Sequence, residues 1–183
     1  MNYMEKGRFQ DHPLMRLTLA LTLGLLLLFW VTNFALYFSR MSLRPASVVA
    51  YYNGSEAEFR PPRSAPSMLE TTHMHLPMMA VVLLLLTHLA IFVPLPKALK
   101  TTLIVGAFAS AVAEESGGWL VRFVSPAFAP VKVLGFVGLQ SAILFLLAAL
   151  GVFLVQAARA APEEMGAKGR HSRARTRSAV TSE

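Results

Sequence analysis

Four long apolar runs govern what this chain can fold into, because segments of this length are typical of membrane spans. The runs cover about 14–38, 76–93, 98–123 and 131–157. Inside hydrocarbon a backbone has no water to bond to, so each run is expected to satisfy its own N–H and C=O groups as a helix. At about 1.5 Å of rise per residue, every run can cross about 30 Å of hydrocarbon. The sequence therefore predicts an all-α integral membrane protein in the form of a four-helix bundle.

The composition agrees with a membrane protein and excludes several classes of site. Only 15% of the residues are charged, whereas soluble domains carry about 25%. The chain has no cysteine, which excludes disulfides, thiolate metal sites and covalent attachment of c-type haem. The first apolar run is longer than the core of a signal peptide and no A-x-A-like cleavage site follows it, so it is expected to remain as an anchor.

The distribution of lysine and arginine predicts the orientation of the chain. Eleven of these residues flank the runs on the side of the two termini and the second loop, and six lie on the opposite side. The six are Arg40, Arg44, Arg60, Arg63, Arg122 and Lys132. Because cytoplasmic flanks carry the excess of positive charge, both termini are expected in the cytoplasm of a bacterium, with the spans in the inner membrane. The net charge of +7 is then explained by a flank that contacts anionic lipid, and no nucleic-acid partner is expected.

Three polar segments complete the predicted organisation. Residues 1–13 form a cytoplasmic N-terminal segment, and 158–183, rich in Ala, Gly, Ser and Arg, form a disordered basic cytoplasmic tail. Between the first two spans lies 39–75, an outer loop of about 30 residues that ends with the start of the second helix. Within this loop, 46–52 predicts a short helix that is ended by Asn53–Gly54.

Three histidines fall on the predicted second helix, namely His73, His75 and His88. His88 is expected close to the middle of the span, where an ionisable side chain is costly and usually functional. Two interpretations follow from this position. The imidazole can be a ligand to a haem iron or to the magnesium of a chlorin, or it can be a neutral group that hydrogen-bonds to a neighbouring helix.

The spacing of these histidines suits stacked cofactors. His73 and His88 are fifteen residues apart, which is about 22 Å along a helix and about 60° around it, so both lie roughly on one face. Over this one helix the chain resembles cytochrome b of respiratory complexes, in which helices with a similar long histidine spacing carry two stacked haems. The resemblance implies haem b bound by His88 and one of His73 or His75. A second axial ligand would come from a homodimer, from another membrane subunit, or from a methionine of the same helix.

The same helix offers two other cofactor interpretations. Imidazole and thioether groups together suit copper, so a candidate metal site at the outer surface is predicted here. Its residues are His73, His75, Met78 and Met79. In a photosynthetic complex, His88 would instead ligate bacteriochlorophyll, which needs only one axial imidazole.

The predicted third span combines small residues with two carboxylates. The small residues allow another helix, a flat cofactor or a quinone to approach closely. They are Gly106, Ala107, Ala109, Ser110, Ala111 and Ala113. Glu114 and Glu115 are expected near the outer end of the span, on the side of the histidine pair, where they are candidate proton acceptors from a quinol. Arg122 is a predicted ion-pair partner of Glu115, and Gln140 is expected to hydrogen-bond between helices.

Together these features favour a redox or structural subunit over a stand-alone enzyme. The first hypothesis is a small membrane electron-transfer protein or subunit that binds haem b and links a quinol pool to an outer-face partner, such as a periplasmic electron carrier. The second is a non-catalytic accessory subunit of a respiratory or photosynthetic complex. The third is an outer-face copper or other metal site built on His73, His75 and the Glu114–Glu115 pair. All three expect contacts with lipid and with other membrane subunits or a second copy of the chain.

Overall fold

The computed structural model describes the backbone of residues 13–180 and the side chains of 14–159. Within these ranges the protein is all-helical, with one isolated bridge between Ser55 and Arg60. The helices are α1 (Pro13–Arg40), α2 (Pro45–Asn53), α3 (Ala65–Ala90), α4 (Lys97–Phe123) and α5 (Ala129–Val180), with a 3₁₀ turn at Pro126–Phe128 before α5. The predicted all-α class is confirmed for this part of the chain.

Three of the described helices are long and apolar enough to cross a membrane. The candidate spans are Leu14–Arg40, Ala65–Ala90 and Pro126–Arg159. Helix α4 occupies the position of the predicted third span and has 27 residues, yet it is not among them. The reason lies in its composition, because two adjacent glutamates and several small or hydroxylated residues lower its mean hydropathy.

The short helix that was predicted between the first two spans is confirmed as α2. Pro45 stands in its first turn, where the missing N–H of proline removes no helical hydrogen bond. The helix ends at Gly54, whose φ of +88° lies in the region that favours glycine. A Cβ at this position would lie 2.6 Å from the backbone oxygen of Arg60, so the turn requires glycine for space as well.

Contacts between residues divide the chain into two units. The larger is Gly24–Ala149, and the other combines Met1–Leu23 with Leu150–Glu183. Within the smaller unit, the Arg16 guanidinium donates to the backbone oxygen of Ala157 at 3.5 Å. The predicted N-terminal segment and the predicted disordered tail lie almost wholly outside the described side chains, although the backbone of α5 continues to Val180.

The larger unit has its core where α2 packs against the ends of the longer helices. Val48 and Val121 are almost fully buried there, and the rings of Tyr37 and Phe136 stack with centroids 3.6 Å apart and planes 13° from parallel. We call this region the α2 end. Here α1 and α4 end and α3 and α5 begin, so the short helix and four helix termini converge on one place.

Helices α4 and α5 approach each other closely through glycine. A Cβ at Gly117 would lie 2.7 Å from the Cα of Lys132, whereas a Cβ at Gly106 would meet nothing within 4 Å. Of the small residues predicted to support packing on α4, Ala107 and Ala111 are buried. The small-residue surface is therefore used for helix packing over part of its length.

Candidate functional site

A small cavity lies at the α2 end of the larger unit and is lined by all five helices. Its walls include Tyr37 of α1, Tyr52 of α2, His75 of α3, Glu115 of α4 and Lys132 of α5. Its volume is about 70 Å³, which is space for about two water molecules. The cavity is far smaller than the pockets of about 300–1,000 Å³ that enclose a drug-sized ligand. It can therefore hold water, a small ion or one end of a larger molecule.

Glu115 is held by hydrogen bonds from α3. Its Oε2 lies 3.4 Å from Nδ1 of His75, and its Oε1 accepts a hydrogen bond from the Thr72 hydroxyl. The Thr72 oxygen accepts in turn from Nε1 of Trp119 at 2.9 Å. The Glu115 side chain is 12% exposed and the His75 side chain 44%. The Glu115 carboxylate thus contacts the imidazole of His75, which is the more accessible of the two groups.

Glu114, the preceding residue, forms an ion pair with α5. The Lys132 ammonium donates to its carboxylate Oε1 and also to its backbone oxygen at 2.9 Å. The side chains of the pair are 8% and 13% exposed for Lys132 and Glu114. Removing one partner of such a buried pair leaves an uncompensated charge, which is strongly destabilising.

Tyr52 closes the cavity beside this ion pair. The Lys132 ammonium lies 6.0 Å from the centroid of the tyrosine ring. Burial raises the pKa of the Tyr52 phenol above its usual value, and the nearby ammonium opposes this effect only in part. The phenol is therefore protonated at neutral pH, so that it can donate a hydrogen bond into the cavity.

Two arginines flank the ring of Tyr51 at the same cavity. Nη1 of Arg40 lies 3.4 Å from the Tyr51 hydroxyl, and Cζ of Arg63 lies 5.5 Å from the ring centroid. The backbone of Arg63 is fixed at both ends, because its N–H donates to the Tyr52 oxygen at 3.0 Å and its own oxygen accepts from Nε of Arg122 at 2.9 Å. The cavity thus carries more cationic side chains than its two carboxylates neutralise.

The structure brings His75 and Glu115 together but leaves the other predicted ligands apart from the cavity. His73 and Met78 are exposed, and no group of three or more His, Cys, Asp or Glu side chains that could hold a metal occurs among the described residues. His88 lies in the last turn of α3, exposed and edge-on to the Phe92 ring at 6.0 Å. The expectation that His88 lies close to the middle of the membrane span stays a prediction, although His88 is near the end of the candidate span Ala65–Ala90.

Met79 is half-buried on α3 and does not line the cavity either. The predicted copper site of two histidines and two methionines is therefore not drawn together at the cavity, since of the four only His75 reaches it. His73 is two residues from His75, so their side chains point about 200° apart around the helix, and Met78 and Met79 lie about one turn further along α3.

Two predicted polar contacts are wrong. Arg122 does not pair with Glu115, because seven residues of helix separate their Cα atoms by about 10 Å; its Nε bonds to the Arg63 oxygen instead. The Gln140 side chain is buried with neither its amide nitrogen nor its amide oxygen bonded to the described residues. The hydrogen bond between helices at this position uses the backbone of Gln140, whose oxygen accepts from Nε1 of Trp30 at 3.0 Å.

Several side chains of the site carried little signal in the sequence. Lys132 is one of the six positive residues that flank the spans on the predicted outer side, yet it also falls inside the predicted fourth span. An ionisable side chain in a span suggests a functional or paired group. Thr72 and Trp119 join the site only because α3 and α4 pack side by side. Residues of this kind are ordinary in any sequence, so only the tertiary contact identifies them.

Comparison with known proteins gives one family. A family model described as a transmembrane helical domain matches residues 42–161. Neither a curated protein nor a solved structure matches the chain. The matched region contains α2, α3 and α4 and most of the apolar part of α5, and thus all of the cavity except its α1 side. The chain therefore belongs to the Aq_1264_TM family of transmembrane helical domains and is an integral membrane protein.

Proposed function

We propose that this protein is a proton-handling subunit of an electron-transfer complex in a bacterial inner membrane. Its four long helices would all cross the membrane, with both termini in the cytoplasm, as the eleven-to-six distribution of lysine and arginine favours. Although α4 is the least apolar of the four, its two carboxylates each have a partner on a neighbouring helix. This pairing supports the burial of α4 beside α3 and α5 in a four-helix bundle. The cavity at the α2 end then faces the outer side.

The observation that carries the proposal is the pair of His75 and Glu115 at the cavity. A quinol that is oxidised to a quinone releases two protons and two electrons, and the protons need acceptors close to the ring hydroxyls. A carboxylate that is hydrogen-bonded to an imidazole can take such a proton and pass it on. The Glu115 side chain is 12% exposed and that of His75 44%, so this pair leads from the less accessible side of the cavity towards water. The electrons would pass to a haem of the same complex.

We expect Glu115→Gln to slow quinol oxidation about tenfold in membranes that contain the assembled complex. Loss of a general base typically costs about 10² or more. The effect is smaller here because Glu114 and water share the cavity and can replace part of the function. The rate would be measured spectrophotometrically with a short-chain quinol and a soluble electron acceptor.

Glu58→Gln is the matched control, because Glu58 is an exposed glutamate that pairs only with Arg60. Its rate should equal that of the wild type. A Glu115→Gln complex that assembles normally and oxidises quinol at the wild-type rate would remove the support for proton transfer at this pair.

Cofactor ligation is a second candidate function, favoured by the orientation of His75. A histidine that binds a metal usually donates its other ring nitrogen to a carboxylate, which fixes the ring and the tautomer. In His75 it is Nδ1 that faces Glu115, which leaves Nε2 as the ligand atom. Two stacked haems b would each take one axial ligand from α3, the first from His75 or His73 and the second from His88. The exposed position of His88 favours a ligand set completed by another chain.

We expect His88→Ala to abolish one haem b signal in the reduced-minus-oxidised visible spectrum of the complex, purified in mild detergent. His75 lies thirteen residues from His88, about 20 Å along α3, so His75→Ala should remove the signal of a different haem, while His12→Ala should leave both signals intact. A complex without haem bands, or one whose bands survive His88→Ala, contradicts haem ligation by this chain. Pigment and metal analysis of the same preparation would then test the bacteriochlorophyll and copper alternatives, and their absence would favour an accessory subunit.

A further inference from the structure

Arg40 and Arg63 present two guanidinium groups to one cavity without an acidic partner. Among the described residues, neither lies within ion-pair distance of a carboxylate. The two carboxylates of the cavity are already engaged, Glu115 by α3 and Glu114 by α5. The positive charge of the two arginines is therefore left for another group to neutralise.

Arg63 also has a hydrogen-bond donor that nothing in the fold uses. Its Nε is buried and has no acceptor among the described residues. Leaving a buried donor of a charged group unsatisfied is costly, and such atoms in a folded protein usually meet a ligand, an ion or water. Hydrogen bonds at both ends of its backbone hold Arg63 beside the cavity, and the contact of the guanidinium with the Tyr51 ring favours this position of the side chain. The donor therefore points to a ligand that accepts hydrogen bonds.

The position of the two arginines narrows the chemistry of this ligand. The candidate span of α1 ends at Arg40, and that of α3 begins two residues after Arg63. Both arginines thus lie beside the ends of candidate membrane spans, where lipid headgroups are expected. A guanidinium presents parallel N–H donors that match the oxygens of a phosphate group. The cavity of about 70 Å³ has room for the phosphate group, while Arg40 is exposed and leaves space for the rest of the molecule outside.

We infer that Arg40 and Arg63 form a binding site for a phosphate group at the mouth of the cavity, carried by a membrane phospholipid or by a soluble phosphate compound. The site does not depend on the proposed proton transfer, because it uses neither His75 nor Glu115. A phosphate site also explains why two arginines lie on the predicted outer side, which carries fewer positive charges than the cytoplasmic side. The positive charge of Arg40 and Arg63 then serves to bind a local ligand and does not determine the orientation of the chain in the membrane.

Binding can be tested on the full chain, purified in an uncharged detergent. Native mass spectrometry would measure the affinity for phosphatidylglycerol, for diacylglycerol as its uncharged counterpart, and for inorganic phosphate. We expect tighter binding of the phosphate-containing lipid than of diacylglycerol, and a loss of about tenfold in affinity for Arg40→Gln and for Arg63→Gln, because each removes a charge-assisted hydrogen bond. Arg44→Gln, at an exposed arginine on the same side that does not line the cavity, should bind as the wild type does.

The arms of the experiment separate the two sources of phosphate. Displacement of the lipid by millimolar inorganic phosphate assigns the site to a soluble phosphate compound, and binding that phosphate does not disturb assigns it to a lipid headgroup. If Arg63→Gln fails to fold, Arg40→Gln and Arg63→Lys are tested in its place. Arg63→Lys keeps the positive charge but loses the planar guanidinium group with its parallel N–H donors. Equal affinities for the two lipids with no binding of phosphate would overturn the inference, and so would an equal loss in Arg44→Gln.

Discussion

Replacing Lys132 by methionine is expected to lower the free energy of unfolding by about 3–5 kcal/mol, which is the usual cost of removing one partner of a buried ion pair. The methionine keeps most of the apolar volume of the lysine, so the change isolates the loss of the ammonium. The Glu114 carboxylate would remain only 13% exposed without its cationic partner, and the Glu114 backbone oxygen would lose its additional hydrogen bond from the ammonium. Unfolding in mixed micelles with increasing SDS, followed by circular dichroism, measures the difference.

The double variant Lys132→Met with Glu114→Gln tests this explanation. Removing the second charge eliminates the buried, unpaired carboxylate, and replacement of both partners of a buried pair is often nearly neutral. We expect the double variant to recover to within about 1 kcal/mol of the wild type. If the double variant is less stable than Lys132→Met alone, the pair stabilises the fold in another way, and the electrostatic explanation fails.

Replacing Gly117 by alanine is expected to destabilise the protein by about 1–3 kcal/mol, the usual cost of forcing an extra group into a packed interface. The added methyl would lie 2.7 Å from the Cα of Lys132 and 2.8 Å from its backbone nitrogen. Backbone atoms cannot move aside as a flexible side chain can, so α4 and α5 would have to separate. Thermal unfolding in the same detergent would report the change.

Gly106→Ala is the matched control on the same helix. No atom lies within 4 Å of a Cβ at this position, and alanine is favoured over glycine in a helix by up to about 1 kcal/mol. This variant should therefore be as stable as the wild type or slightly more stable. An equal loss of stability in both alanine variants would show that the glycines of α4 serve a purpose other than close contact with α5.

The helices themselves could be read from the sequence, because their periodicity and length depend on local residues. The apolar runs place the four long helices, and Asn53–Gly54 marks the end of α2. The early start of α3 was also predictable, because Ser67-Met-Leu-Glu70 has the spacing of a capping box and indicates a helix that begins before the apolar run. The structure places the N-cap three residues earlier, at Ser64. Hydropathy locates the part of a helix that lies in lipid, and it does not locate helical turns beyond that part.

The candidate site was predictable only where a residue is unusual in itself. Two consecutive glutamates next to an apolar run, and a histidine on the facing helix, are conspicuous in any membrane chain. Their partners are set by which faces of α3, α4 and α5 meet, and no local pattern contains that information. His75 and Glu115 are forty residues apart, and Thr72 and Lys132 have side chains that would suit many other places.

The opposed partners of Glu114 and Glu115 also affect how the chain enters the membrane. Adjacent residues of a helix point about 100° apart, so one carboxylate of α4 reaches forward to Lys132 and the other back to His75. A helix with two unpaired carboxylates would partition poorly into lipid by itself, where a charged residue costs up to about 3 kcal/mol at the helix centre. If α4 crosses the membrane as proposed, the translocon would therefore be expected to release α4 only with its neighbours, through insertion of α3, α4 and α5 as one unit.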